Sequence, residues 1–102
     1  MKNRDEQNSI LGDDIRNIAK ELQVIYAKAE SSYEPIVNDI IRTNSKDENE
    51  IERVLDFMLD FADNEKILAF FKKLCRYYYG LNPRAATDYV RIYKELYEMD
   101  EP

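Results

Sequence analysis

The chain contains no histidine, no tryptophan and a single cysteine, with two glycines and three prolines among its 102 residues. Each shortage removes something. Histidine is the usual proton shuttle near neutral pH and the commonest metal ligand, so its absence rules out Ser-His-Asp and Cys-His nucleophile arrangements within the chain and most zinc sites. One cysteine cannot close an internal disulfide, which suits a reducing compartment. Gly12 and Gly80 are too few for a sheet protein built on tight turns. No apolar run approaches the length of a membrane span, and the opening "MKNRDEQNS" is too polar for a secretory leader. The expectation is a cytoplasmic, non-enzymatic protein with no cofactor, no metal and no membrane association.

What is present points to helices. Hydrophobic residues make up 44% of the chain and charged residues 35%, enough apolar surface for one core under heavily solvated outer faces. From Asp13, apolar residues recur at helical spacing through Ile15, Ile18, Ala19, Leu22, Ile25, Tyr26 and Ala29. Ser31 and Glu34 have capping-box spacing, and Pro35 suits a first helical turn, so the pattern predicts a break near Glu30. A short second helix then carries Tyr33, Ile36, Val37, Ile40 and Ile41, the competing reading being one continuous, kinked helix. "TNSKDENE" reads as a loop with Ser45 and Glu48 as a second capping box. The next stripe is Ile51, Val54, Leu55, Met58, Leu59 and Ala62. Asp63 is the expected cap of a fourth helix facing inward through Ile67, Phe70, Phe71, Leu74, Cys75 and Tyr78. Gly80 sits where a left-handed C-terminal cap is wanted, and Asn82 with Pro83 opens a fifth helix. Its inward residues would be Ala86, Tyr89, Val90, Tyr93, Leu96 and Tyr97.

The predicted fold class is therefore all-α, a compact bundle of four to five short amphipathic helices whose C-terminal pair has a helix-turn-helix-like arrangement. Residues 1–12 are expected to fray, 13–99 to form a single helical domain, and 100–102 to be an acidic tail.

Charge is unevenly placed. Residues 1–65 carry eight basic and sixteen acidic side chains, whereas residues 66–94 carry seven basic ones against Asp88 alone. Such asymmetry marks a candidate contact surface for a partner or nucleic acid: Lys72, Lys73, Arg76, Tyr77, Tyr79, Arg84 and Arg91. The bland alternative is that lysine and arginine stems cover apolar surface while tyrosines line the core boundary. Against nucleic-acid reading, Arg84, Arg91 and Lys94 each have an acid four residues on, in Asp88, Glu95 and Glu98, which would cancel their field. Arg76 also stands where a helix-turn-helix expects a small residue. A second candidate is the acidic face Glu48, Glu52, Asp56, Asp60 and Asp63, a stripe able to mimic nucleic-acid phosphates or simply to keep the helix solvated. Cys75 reads as a buried, inert thiol.

Two resemblances attach to quoted residues. "GLNPRAATDYVRIYKEL" resembles the opening helix of the core-binding, SAM-like domain of tyrosine recombinases: Gly80, Leu81, Pro83 and Tyr89 match, Asn82 stands for a serine and Ala85 for a threonine. It implies shared helix-start chemistry. "YEPIVNDIIRTNSKDENEIERVLDFMLDF" with "CRYYYGLNPRAATDYV" is similar to small uncharacterised proteins carried on conjugative elements of Gram-positive gut bacteria, implying a mobile-element accessory role without assigned chemistry. The reading that gathers these features is a protein–protein interaction module, an accessory, regulatory or anti-defence inhibitor. Its alternatives are a DNA-binding regulator using the basic third and an immunity protein against a bacteriocin or toxin. The wide apolar arc of the last helix, Ala85 and Ile92 included, adds the expectation of a homodimer.

Overall fold

The computed structural model describes the backbone of residues 4–98 and the side chains of residues 15–98. It is all-α: α1 (Arg4–Arg42), α2 (Glu48–Leu59), α3 (Glu65–Leu81) and α4 (Pro83–Tyr97), with no strand among the described residues. Residues 1–3 of the segment expected to fray, and the tail 100–102, lie outside the described residues; the bounds of α1 take in residues 4–12.

The expected break near Glu30 is absent. α1 runs unbroken for 39 residues with Pro35 inside it. Ser31 is no cap; its hydroxyl donates to the Lys28 carbonyl at 3.1 Å, one turn back. A proline inside a helix costs about 3 kcal/mol. Just beyond it, Val37 and Ile40 are almost wholly buried, and each such side chain contributes roughly 1.5–3 kcal/mol. Packing on both sides of Pro35 therefore outweighs the local penalty.

The chain turns after α1 through a left-handed residue, Asn44, at φ 52°. The Asn44 amide donates to Ile41 and the Ser45 amide to Ile40, which closes the helix in a Schellman arrangement. Ser45 does not cap α2 as expected. Asp47 does, accepting from the Glu50 amide at 3.2 Å, while Ser45 Oγ accepts from the Asp47 amide. The next cap also shifts by one residue. Asn64, not Asp63, accepts from the Lys66 and Ile67 amides, and its Nδ2 donates to Glu30 on α1 at 2.8 Å. Gly80 does not adopt the expected left-handed conformation. α3 continues through it to Leu81, and Asn82 alone serves both helices: its amide closes α3 on Tyr78, and its Oδ1 caps α4 at Ala85.

α3 is the central element. Ile67, Phe71, Leu74, Cys75 and Tyr78 are buried under α1, α2 and α4, and Phe70 is half-buried. The stripe from Ile51 to Ala62, in α2 and the turn that follows it, is buried throughout. Phe71 and Tyr93 stand at equal distances along the chain either side of Asn82 with ring centroids 6.0 Å apart, so α3 and α4 lie side by side in opposite directions. α4 is covered less fully than expected. Ala86 is buried and Tyr89, Tyr93 and Tyr97 half-buried, but Val90 and Leu96 face outward.

Length explains the shape. At 1.5 Å per residue α1 is about 58 Å long and α3 only about 26 Å, and the longest dimension of the chain is 63 Å. Among the residues whose side chains are described, Ile15 to Ile25 have no helix to lie on.

Candidate protein-interaction site

Two apolar surfaces have no internal partner among the described residues. The first is the N-terminal half of α1. Contact with the helical body starts at Tyr26, whose hydroxyl donates to Asp63 and whose ring meets Phe61 edge-on at 5.7 Å. Beyond it, Ala29, Val37 and Ile40 are buried. Before it, every residue from Ile15 to Ile25 is exposed. Ile15, Ile18, Leu22 and Ile25 stand 67%, 54%, 47% and 46% exposed. Their spacing of three, four and three residues places them in one stripe, the a/d spacing of a helix made to pack on another helix. Four large aliphatic side chains in a row on one exposed face differ from the scattered apolar residues that any surface carries.

The second surface is a groove of about 510 Å³ between α3 and α4. Phe71, Cys75, Ala86, Val90 and Tyr93 form its apolar floor, and Lys72, Arg76, Lys94 and the acidic Glu98 stand at its edges. Those three cations make no ion pair among the described residues. Burial pushes the Cys75 thiol up to about 12, so it stays a neutral, apolar part of the floor near neutral pH.

The basic set identified in the sequence is thus divided. Lys72, Arg76 and the exposed Tyr79 belong to the groove. Lys73 points the other way and donates to Asn38 on α1 at 2.7 Å. Tyr77 donates to the Ser45 carbonyl at 2.7 Å and fastens α3 to the α1–α2 connection. Arg91 is held between Asp88 and Glu95, both at 3.3 Å, so the expected Arg84–Asp88 pair gives way to Arg91–Asp88. Arg84 is exposed and lies outside the groove lining.

The acidic face faces tyrosines. Tyr78 donates to Glu48 at 3.0 Å and also to Glu52. Tyr89 donates to Asp56 at 2.8 Å, Tyr26 to Asp63 at 2.9 Å, and Asn82 Nδ2 to Glu48 at 2.9 Å. Of the five carboxylates only Asp60 accepts none of these bonds. Burial first, then the bonds to Glu52 and Glu48, hold the Tyr78 hydroxyl well above the ordinary tyrosine range, and burial and Asp56 do the same at Tyr89. Among the described residues no group of three or more carboxylates or thiols is gathered as a metal would need.

The sequence marks Ile15 to Ile25 as an apolar stripe at helical spacing, and what it does not show is that the stripe is exposed. One available signal was length, since an amphipathic segment of 39 residues outruns helices of 12, 17 and 15. The chain matches no protein-family model, no curated protein and no solved structure. No helix among the described residues is long and apolar enough to cross a membrane.

Proposed function

We propose that the protein is a protein–protein interaction module whose N-terminal helical arm, residues 15–25, docks on another protein. The carrying observation is the four-residue apolar stripe, formed on a helix and without a partner among the described residues. The stripe is continuous with Ala29 and Val37, which are anchored in the body, so the arm is presented at a fixed angle. Such preorganisation lowers the entropy lost on binding. The resemblance to proteins of conjugative elements gives this reading a setting, an accessory or anti-defence inhibitor role in a mobile element. The acidic face of α2 does not support inhibition by phosphate mimicry, because four of its five carboxylates are hydrogen-bonded within the fold.

The second reading is DNA binding through Lys72, Arg76 and Lys94, favoured by their making no ion pair among the described residues and weakened by Glu98 in the same groove. The α3–α4 corner weakens it: a DNA-reading helix-turn-helix uses a turn of about three or four residues and crossed helices, whereas here Asn82 alone separates two side-by-side helices. Affinity capture from source-cell lysate with the wild type and with Ile18→Asp/Leu22→Asp decides the first reading. A protein held by the wild type and lost by the variant supports it; identical retained sets overturn it. Titration of duplex DNA at rising salt decides the second, since phosphate contacts release counterions and give a steep salt slope. The expected result is no such slope.

A further inference from the structure

We infer that the arm's partner includes a second copy of this chain, with Ile18 and Leu22 of one protomer seated in the α3–α4 groove of the other. This rests on the reading of the arm as a protein-docking surface and names its occupant. Three features support it. An amphipathic helix enters an apolar groove through anchors one turn apart, and Ile15, Ile18, Leu22 and Ile25 supply them. The groove offers a floor of Phe71, Cys75, Val90 and Tyr93 that no other element covers among the described residues. The charges also correspond. Glu21 lies beside the stripe, while three cations, Lys72, Arg76 and Lys94, stand at the groove edges against one acid, Glu98, and none of these makes an ion pair among the described residues.

The contact must be between molecules. α1 is one uninterrupted helix anchored at Ala29 and Val37, so its arm cannot fold back onto its own groove. Parallel arm-to-arm pairing is the natural competitor, and the fold opposes it. The stripe's continuation at Ala29 is covered by the protomer's own body, so two parallel arms would bring two bodies onto one axis. Antiparallel pairing around Lys20 sets Glu21 near its own copy and leaves both grooves empty. An arm in a groove covers both unpartnered surfaces together. Exchanged reciprocally, the two contacts close a two-fold dimer.

Mass measurement of the full chain by sedimentation equilibrium at micromolar concentration tests this. The wild type is expected at twice 12.2 kDa. Ile18→Asp/Leu22→Asp, which alters the arm alone, and Val90→Asp, which alters the groove alone, are each expected to be monomeric with helical circular dichroism unchanged. An equimolar mixture of the two variants is expected to recover a complex of one of each, because the Val90→Asp protomer keeps a sound arm and the other a sound groove. Lys72→Glu/Arg76→Glu, at exposed positions that folding does not depend on, should weaken the wild-type dimer about tenfold or more and remove much of its salt dependence. A monomeric wild type overturns the inference, whatever the lysate experiment returns. So does a Val90→Asp chain that dimerises as tightly as the wild type, which would mean that the arms pair with each other. So does a mixture that stays monomeric.

Discussion

The two halves of α1 share one helix and one apolar periodicity, and they have opposite fates. From Ala29 to Ile40 the stripe is covered by α3 and its neighbours; from Ile15 to Ile25 the same stripe faces outward. Helical spacing states which side of a helix is apolar. What covers that side depends on where the neighbouring helices end, and here they end near Tyr26. The comparison separates residues that hold the monomer together from residues kept for something else.

The sharpest way to break that distinction is to truncate one side chain on each side of the boundary. Phe71→Ala opens a cavity in the buried centre of α3 and is expected to cost about 3–5 kcal/mol, whereas Leu22→Ala in the arm is expected to change monomer stability by less than about 0.5 kcal/mol. Urea unfolding followed by circular dichroism, on dilute monomer, reads both. Equal losses would place the arm in the core.

Within the body half of α1, Pro35 marks where packing overrides local preference. Pro35→Ala restores an amide facing the Ser31 carbonyl, and is expected to stabilise the chain by about 1–3 kcal/mol. No gain would mean that the helix is already distorted there by its contacts with α3.

The tyrosine hydroxyls joining α2 to its neighbours come next. Tyr78→Phe removes the donor shared by Glu48 and Glu52, at an expected cost of about 1.5–3 kcal/mol for a bond to charged acceptors. The same contacts set an alkaline limit. Tyr78 and Cys75 hold their protons more tightly in the fold than in the unfolded chain, where they titrate near 10.0 and 9.0. Their contribution is therefore complete below pH 9 and is lost as pH climbs through 9 to 10 and beyond, where the unfolded chain gives up protons first. A stability profile that is level between pH 7 and 9 and falls above it is expected, and Tyr78→Phe should flatten the later part of the fall.

Gly80→Ala gives the smallest effect. Gly80 is helical and nothing lies within 4 Å of an added Cβ, so a gain of about 0.4–1 kcal/mol is expected in thermal unfolding. A loss would show that the backbone there needs glycine.

How far these features were legible in the sequence follows from how local their causes are. The buried stripe of α2, the inward residues of α3 and the Asn82–Pro83 helix start were all readable, because each depends on a few adjacent residues. The continuity of α1 was not. Ser31, Glu34 and Pro35 carry a genuine helix-start signal, and it loses to the burial of Val37 and Ile40 by a distant element. The left-handed cap was expected at Gly80 and lies at Asn44, since asparagine also tolerates that conformation and the α1–α2 corner, not the α3–α4 corner, is closed by a Schellman turn. The acidic stripe was visible as a face. Its tyrosine donors come from other helices, between 26 and 37 residues away in sequence, and no periodicity reports them. For the same reason the candidate site was half legible. Its residues were identified, Lys72, Arg76 and Tyr79 among the basic set and Ile18 and Leu22 in the apolar stripe of the first helix, but their sorting into groove and arm needed the third dimension.

Amide hydrogen exchange along α1, read peptide by peptide at two protein concentrations, bears most directly on the contrast between its halves. Residues 29–41 are expected to be protected to the level of global unfolding in dilute and concentrated samples alike, while residues 15–25 show only the modest protection of a solvent-exposed helix in dilute monomer and become strongly protected as the partner copy binds. Equal, strong protection of both halves in dilute monomer would show that the fold covers its own arm, and would contradict the account.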